Sequence, residues 1–420
     1  MANQNIGGEV VLAADGTPLK ASLNKAMRKN RIRALLLVTP LFLFILFSFL
    51  IPIVDMTFRS VDNWQVGTLM PKTTAALADW DGKALPDEPI FAALVQDLQA
   101  GAKAREIGKV GTRLNYEKSG LRGMITGSGK KSLKLKEGPY KEKVLKMHKK
   151  WNELDTWTVI KRNTAPYTIG YYLNAVDMKY DKSGEIVMQD KNRRIYGKLF
   201  LRTFAISMAI TLICVILAYP ISYLLATLPL RYSSLLMILV LLPFWTSLLV
   251  RTTAWIVMLQ SQGVLNDLFV FFGLVSDDNR LQLIYNLTGT IIAMTHILLP
   301  FMVLPLYSVM KTISPSYMRA ALSLGANPTV AFIRVYVPQT LSGIGAGSIL
   351  VFILSIGYYI TPALVGGTDG TLISNQIAYH MQSSLNWGLA SALGALLLFS
   401  VLALYLIYNK IVGVDNMRLG

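Results

Sequence analysis

The sequence predicts an all-α polytopic membrane protein with six transmembrane helices and one long polar insertion. Its 420 residues are 53% hydrophobic and only 15% charged, whereas about a quarter of the residues of a soluble domain are charged. Six apolar runs are long enough to cross a hydrocarbon core of ~30 Å. Between Asp55 and Lys198 the chain is instead polar and basic, with 26 Lys and Arg against 17 Asp and Glu. This excess accounts for about half of the net charge of +17.

The first apolar run is predicted to be an uncleaved transmembrane helix at 34–55. Residues 1–33 before it are polar and end in a basic cluster. A signal peptide would have a shorter apolar core and a small-residue cleavage site, and neither is visible. The basic cluster places the preceding segment in the cytoplasm.

Five further spans are predicted within 198–412, at approximately 199–225, 234–258, 284–309, 339–361 and 387–409. Six spans place both termini, including the tail 413–420, on one side of the membrane. Basic residues in the short loops mark that side as cytoplasmic. They are Arg231, Lys311, Arg319 and Arg334.

The polar insertion, 56–197, is predicted to lie outside the cytoplasm, because long loops translocate largely regardless of charge. The Lys-rich stretch 127–151 predicts a solvated, partly helical segment. The Tyr-rich stretch 163–185 has the composition and turn residues of paired strands. We expect an α+β or irregular segment, as a small folded domain or an extended arm. Two interpretations of the insertion are open: it binds a partner protein, or it is a solvated segment without a binding role.

Motif spacing argues against catalysis and against cofactor binding. In "GMITGSGKKS" (Gly123–Ser132), Lys131 occupies the Ser/Thr position of a phosphate-binding loop. Three histidines (His148, His296 and His380) are too far apart in sequence for a local metal motif. No Ser/His/Asp set or carboxylate pair accompanies the spans. We therefore expect no catalytic residue, no metal and no nucleic acid.

Two smaller features of the spans predict packing. "GIGAGS" (Gly343–Ser348) lies inside an apolar helix, and its first and third glycines are four residues apart. Small residues at this spacing let helix backbones approach closely in lipid. Cys214, the single cysteine, is predicted to be a buried apolar group.

Arg251 is the first candidate for a solute path. Phe244, Leu248, Arg251 and Trp255 share one face of the predicted helix. The arginine then either faces other helices or a water-filled path, or it snorkels to the outer interface. Trp245, Trp255 and Trp387 are most simply interfacial anchors.

A helix break at Thr361-Pro362, just after Tyr358 and Tyr359, is the second candidate. Irregular backbone at membrane depth is tolerated only beside protein or water. The break therefore either lines the path or simply ends the helix.

The loop 314–338 between two spans is predicted to form two short helices. Ser314 and Pro315 are an N-cap and a first helical residue, and Gly325 ends the helix. Asn327-Pro328 starts a second helix that runs to about Val337, and Pro338 opens the next span. Met318, Ala321 and Leu322 share an apolar face. That face either docks into a partner's groove or rests on lipid headgroups.

This loop resembles the EAA loop of permease subunits of binding-protein-dependent ABC importers. The matching positions are Ala320, Ala321, Gly325, Val335 and Pro338. The resemblance implies that the loop docks on a separate ATPase, which carries ATP and Mg, so that this chain needs no cofactor. The coupling residues that it implies are Ser314, Pro315, Met318, Arg319, Ala320, Ala321, Leu322, Gly325, Ala326 and Pro338.

"LPFWTSLLVRTTAW" and "GYYITPALVGG" extend the resemblance to the spermidine/putrescine-type (PotB-like) permeases, over 34–58 and 197–412. It implies a type I ABC importer permease fold, with Trp245, Arg251, Trp255, Tyr358, Tyr359 and Thr361 along a path for a polyamine. Two positions depart from the family: Arg319 replaces a glutamate, and Tyr358 stands where an acidic residue is expected. Aromatic faces can hold ammonium groups, and an opine or another small charged solute is the alternative substrate.

The resemblance also implies partners and a location. The partners are an ABC ATPase dimer, a second permease subunit or a second copy of this chain, a periplasmic solute-binding protein and membrane lipid. The location is the bacterial inner membrane. Two rival functions are a self-contained secondary transporter or channel, and a membrane-anchored binding module in which the insertion is the functional part.

Overall fold

The structure, a computed structural model, describes residues 19–181 and 183–412. The predicted cytoplasmic segment 1–33 is therefore described only from Leu19, and the predicted tail 413–420 lies outside the described residues. The chain divides into two compact units, Met1–Phe58 and Arg59–Gly420.

The predicted all-α membrane fold with six spans is confirmed. Within the described residues, six helical segments are long and apolar enough to cross a membrane. They are Asn30–Arg59, Tyr196–Thr227, Leu248–Phe271, Leu287–Thr312, Pro328–Gly357 and Trp387–Lys410.

The described part of the first unit is helical throughout. It consists of α1 (Leu19–Ile45), a π-helical turn (Leu46–Leu50) and α2 (Ile51–Arg59). The hydroxyl of Thr39 donates to the carbonyl of Leu35 at 2.7 Å, and that of Thr57 donates to Ile53 at 2.8 Å. Polar side chains that bond to their own helix leave an apolar outer surface, as a lipid-facing span requires.

The insertion is folded and mostly helical. Its helices are α3 (Trp64–Leu69), α4 (Pro71–Ala78), α5 (Glu88–Lys103), α6 (Ile107–Glu117), α7 (Leu121–Ser132), α8 (Tyr140–Met147), α9 (Leu154–Arg162) and α10 (Gly170–Ala175). Short 3₁₀ turns occupy Lys149–Asn152 and Lys191–Arg193. The strand pairing predicted within 163–185 is confirmed only in part. An antiparallel hairpin is present, but β1 (Met178–Tyr180) lies within that stretch, β2 (Ile186–Met188) lies just beyond it, and Gly170–Ala175 is helical. In the hairpin, Lys179 pairs with Val187.

Two tryptophans organise the core of the insertion. Trp151 and Trp157 are wholly buried, and their rings lie 5.2 Å apart. Both indole N–H groups are satisfied, because Trp151 donates to Ser128 Oγ at 2.9 Å and Trp157 donates to the carbonyl of Trp151 at 3.0 Å. Phe91 packs edge-on against Trp157 at 4.8 Å. The Lys-rich stretch 127–151 therefore ends in a buried core residue, Trp151, which its composition did not indicate.

The folded insertion packs on the first turns of two spanning helices, Tyr196–Thr227 and Trp387–Lys410. Tyr171 and Ala175 of α10 share a buried cluster with Leu389 and Leu393 of the last span. A Cβ on Gly388 would meet the Tyr171 ring at 2.4 Å, so only glycine permits this approach. The insertion is therefore fixed to the membrane core rather than tethered beside it.

The membrane core contains the remaining helices. They are α11 (Tyr196–Thr227), α12 (Leu230–Leu241), α13 (Leu248–Leu259), α14 (Val264–Phe271), α15 (Leu287–Thr312), α16 (Pro315–Ser323), α17 (Pro328–Ala331), α18 (Val337–Gly357), α19 (Ile360–Val365), α20 (Ile373–Gln382) and α21 (Trp387–Val412). A 3₁₀ turn at Leu242–Trp245 follows α12, another lies at Asp277–Asn279, and a π-helical turn at Phe332–Tyr336 joins α17 to α18.

Helices α11, α15 and α18 form the buried centre. A Cβ on Gly343 would lie 3.0 Å from the Cα of Leu306, and one on Gly347 would lie 2.5 Å from the sulfur of Met302. The two glycines therefore let α18 approach α15, as predicted for "GIGAGS". Cys214 is wholly buried in the same cluster, as predicted.

The predicted continuous span 234–258 is wrong. The chain instead forms α12 and α13, separated by the 3₁₀ turn and an extended Thr246. Pro243 lies in the turn and cannot donate a backbone hydrogen bond to the preceding helix. Ser247 then starts α13, because its hydroxyl accepts from the N–H of Val250 at 3.2 Å.

Candidate functional site

The helix α16 begins and ends where the sequence predicts. The Ser314 hydroxyl accepts from the N–H of Ser316 at 3.3 Å, and Pro315 is the first helical residue. Gly325 has a φ of +90°. The N–H of Gly325 bonds to the carbonyl of Leu322 at 3.0 Å, and that of Ala326 bonds to Ala321 at 3.1 Å. These two bonds form a Schellman motif, in which the left-handed position favours glycine.

The second predicted short helix is not separate. Asn327 caps it as predicted, accepting from the N–H of Val330 at 2.8 Å. The helix then runs without a break through the π-helical turn into α18, so that Pro328–Gly357 is one segment. Pro338 removes a backbone donor, and the preceding π-helical turn accommodates this loss without ending the helix.

The predicted apolar face of α16 is divided between two environments. Met318 is half-buried and packs inward on a cluster that includes Met310 and Phe332. Leu322 is 42% exposed and points away from that cluster, and Leu324 just beyond the helix is 89% exposed. Together with Tyr317, which is 54% exposed, they form the exposed apolar side of the loop. Arg319 and Ala320 are also exposed.

An aromatic cluster packs on the side of α16 that carries Met318. Phe332 lies 5.5 Å from Tyr223 of α11 and stacks on Tyr336 at 5.3 Å. Tyr336 in turn lies 5.5 Å from Tyr223. This cluster, the aromatic base, joins the loop to α11, α15 and α18 through close-packed side chains. The loop is therefore packed against those three helices.

Arg251 stabilises the junction between α12 and α13. Its guanidinium donates to the carbonyl of Thr246 at 3.0 Å and to that of Pro243. Phe244 is not on the same helix as Arg251, so the predicted shared face is wrong. The arginine is the donor to the Thr246 carbonyl and adds a donor to the Pro243 carbonyl, which also accepts from the N–H and the hydroxyl of Thr246. Neither of the two sequence interpretations included this role.

The remaining candidates for the path lie around α13 and α19. Trp255 donates to Nδ1 of His296 at 3.1 Å, and the hydroxyls of Thr252 and buried Thr361 lie 3.3 Å apart. Trp245 is 73% exposed and lies at the junction before α13. Trp255 lies on α13, and Thr361 contacts Thr252 of the same helix, so both candidates lie at α13. Trp245 lies on the surface of the core.

The second predicted break lies three residues earlier than expected. Helix α18 ends at Gly357, Tyr358 and Tyr359 are non-helical, and α19 begins at Ile360. Pro362 falls within the first turn of α19, where a missing N–H costs nothing. Two side chains of α20 donate to carbonyls at the break: Ser374 donates to Tyr358 at 2.6 Å, and Asn375 donates to Tyr359 at 2.7 Å. The Tyr359 carbonyl also accepts from the N–H of Ala363 at 3.0 Å.

The region from the second span to the last matches a known family. The model for the binding-protein-dependent transport system inner membrane component covers residues 204–413, which include the loop, the aromatic base and both helix breaks. The chain belongs to this family. It is therefore a permease component of a transport system and a multi-pass protein of the inner membrane.

Two permease proteins and one solved transporter structure are similar to this chain. The permease is 33% identical over 214 residues to the spermidine/putrescine transport system permease protein PotB of Salmonella typhimurium (strain SL1344), covering 51% of this chain and 74% of the relative. It is 34% identical over 230 residues to the inner membrane ABC transporter permease protein YdcU of Escherichia coli (strain K12), covering 51% and 71%. A crystal structure of a bacterial alginate ABC transporter with a pentasaccharide-bound periplasmic protein matches at 16% identity and a TM-score of 0.44, covering 51% and 77%.

Sequence reasoning missed several polar partners of this permease. His296, Thr252, Ser374 and Asn375 were not singled out, although each bonds to a candidate residue or its backbone. A histidine inside an apolar span is the one signal that the sequence offered. The others are small polar residues of a kind that recurs throughout the spans.

The described part of the permease shows no group of three or more His, Cys, Asp or Glu that could hold a metal ion. "GMITGSGKKS" forms most of the regular helix α7, whereas a phosphate-binding motif requires a loop whose backbone N–H groups converge.

We expect Arg251→Met to destabilise the permease by about 1.5–3 kcal/mol, the range for hydrogen bonds to a charged group. The substitution leaves the carbonyl of Thr246 without its donor and removes one of the three donors to the carbonyl of Pro243. Arg251→Lys is the control, because it keeps the charge but lacks the planar fork. Thermal unfolding in detergent measures both. A methionine variant of unchanged stability that has lost uptake would assign the arginine to the path alone.

Proposed function

We propose that this permease forms the translocation path of an ATP-driven importer for a small solute, and that the solute is a polyamine such as spermidine or putrescine. A periplasmic solute-binding protein delivers the solute. A separate ATPase dimer, which carries ATP and Mg, docks on the loop 314–338. The observation that carries the proposal is the exposed, Schellman-capped helix α16 on its aromatic base, inside the region that matches the permease family.

The geometry supports a coupling step. ATPase closure would push α16, and the inward-facing Met318 would transmit the movement to the aromatic base. Because this base packs on α11, α15 and α18, the displacement would rock these helices as a unit. The solute would then gain or lose access to Tyr358 and Tyr359, which separate α18 from α19.

The choice of a polyamine rests on the names of relatives and on chemistry. The relatives named PotB are spermidine/putrescine permeases. Tyr358, Tyr359 and Trp255 offer aromatic faces, and such faces bind ammonium groups by cation–π contact. An opine or another small charged solute is the competing substrate.

We also propose the arrangement of the complex. A second, related permease subunit completes the pore, with a pair of identical chains as the alternative. Both termini and the loop lie in the cytoplasm, and the insertion lies in the periplasm. The basic residues Arg231, Lys311 and Arg334 on the loop side support this orientation.

The test is uptake by the complete complex in proteoliposomes, with ATP inside and loaded binding protein outside. We expect ATP-dependent uptake of labelled spermidine or putrescine and no uptake of an opine. Opine uptake in place of polyamine uptake would overturn the substrate. Uptake by vesicles that lack the ATPase subunit would overturn the importer mechanism in favour of a secondary transporter or channel.

A further inference from the structure

A basic pocket lies where the insertion meets the last span. It has a volume of about 570 Å³, far above the roughly 30 Å³ that one water molecule occupies in the liquid. Five basic side chains line it: Arg59, Arg105, Lys109, Arg113 and Arg122. Among the described residues of the lining there is no aspartate or glutamate. The pocket therefore presents a strongly positive surface to any occupant.

The deepest of these cations is held rigidly. Arg113 is 3% exposed, and its Nε donates to Asn63 Oδ1 at 2.6 Å. It also pairs with Glu117 at 3.1 Å and stacks on the ring of Tyr171 at 4.7 Å. Burial raises the pKa of Tyr171, so this phenol stays neutral and the wall contributes no negative charge. Because Glu117 already pairs with this guanidinium, Arg113 provides a fixed polar wall rather than a free charge.

Two further arginines extend from the rim. The side chains of Arg105 and Arg122 are exposed, and neither has an ion-pair partner within residues 19–181 and 183–412. Lys109, by contrast, pairs with Glu106 at 2.6 Å. Arg105 and Arg122 are therefore the cations that an external anion can engage without displacing a carboxylate.

The position of the pocket points to the membrane surface. Trp387, which lines it, is the first residue of the last span and is 42% exposed. Leu385 beside it is 60% exposed. Trp64, also in the lining, is 40% exposed. Exposed tryptophans at the end of a span lie at the level of lipid headgroups.

We propose that this pocket binds the phosphate of an anionic phospholipid headgroup in the outer leaflet, between the insertion and the last span. The arginines recognise the phosphate oxygens by charge-assisted hydrogen bonds. The tryptophans and Leu385 contact the glycerol and the start of the acyl chains. The bound lipid would fasten the insertion to the membrane core.

The test is a titration of the full chain in neutral detergent with short-chain phosphatidylglycerol, followed by native mass spectrometry. The double variant Arg105→Gln/Arg122→Gln is expected to bind about tenfold or more weakly, since each basic residue contributes on the order of 1 kcal/mol near an anionic surface. The matched control is Lys134→Gln/Lys136→Gln, which removes the same charge from exposed positions of the insertion outside the pocket. We expect the control to bind normally.

Three results would overturn the proposal. The first is equal affinity in the arginine double variant, and the second is an equal loss in the lysine control. The third is displacement of the lipid by inorganic phosphate at the same concentration, which would assign the pocket to a soluble anion. Phosphatidylcholine with the same acyl chains is expected to bind more weakly, because its choline places a positive charge beside the arginines. Circular dichroism of each variant verifies that the insertion remains folded.

Discussion

Replacing Gly325 with valine is expected to abolish solute uptake while the partner ATPase continues to hydrolyse ATP. Gly325 has a φ of +90° and provides the left-handed position of the Schellman motif that ends α16. A β-branched residue there costs at least about 1–2 kcal/mol. Nothing lies within 4 Å of a Cβ at this position, so backbone strain rather than a collision drives the change. The end of α16 then loses its fixed angle to the aromatic base, and hydrolysis no longer moves the spans.

The measurement compares ATP hydrolysis and uptake in the same proteoliposomes. Gly184→Val is the matched control: Gly184 has a φ of +88° and open space around a Cβ, but it lies in the hairpin turn of the insertion. Gly325→Asn is expected to retain uptake, because asparagine tolerates the left-handed region. Normal uptake by the valine variant would remove the loop from the coupling mechanism. An equal loss in Gly184→Val would attribute the effect to general destabilisation.

The features that the sequence predicted best depend on local hydrogen bonds. Ser314, Gly325 and Asn327 each act on backbone groups a few residues away, so their identity and spacing determine where helices begin and end. Five of the six spans were predictable for a similar reason, since length and hydropathy are properties of continuous segments. The glycine pair at 343 and 347 belongs to this group because its spacing places both residues on one face.

The features that were missed depend on contacts between distant segments. Met318 faces inward because Phe332 and Met310 provide an apolar surface beneath it, and helical periodicity alone does not reveal which side is covered. The break before α13 was hidden because proline is tolerated inside membrane helices. What marks this break is the bond from Arg251 back to Thr246 and Pro243, which only the folded chain displays.

The insertion contains features of both kinds, those set by local sequence and those set by contacts between distant segments. Its hairpin was predictable from tyrosines, β-branched residues and turn residues over a short stretch. Its helical core was not, because Trp151 and Trp157 are buried by helices up to sixty-six positions away in sequence, such as the one that carries Phe91. The lysine-rich composition of 127–151 did not indicate that Trp151, at its end, is a buried core residue. The basic pocket, likewise, emerges only when α6, α7 and the last span come together.

Leu324→Asp is expected to release the ATPase from this permease. Leu324 is 89% exposed at the tip of the loop, next to Leu322 and Tyr317. An apolar side chain in this position is stabilised when it enters a groove of the partner, by about 2 kcal/mol for a leucine. Aspartate loses that contribution and adds the cost of burying a charge. We therefore expect the dissociation constant of the ATPase to rise by about thirtyfold or more.

Binding of the purified ATPase to the detergent-solubilised permease measures this change. Leu133→Asp is the control, because it makes the same substitution at an exposed leucine of the insertion, 46% accessible, on the opposite side of the membrane core. Its affinity for the ATPase should match that of the unaltered chain. Unchanged affinity in Leu324→Asp would mean that the exposed side of α16 rests on lipid headgroups. In that case Leu324→Asp would instead weaken the binding of the loop to anionic vesicles, since the aspartate is repelled by the headgroups.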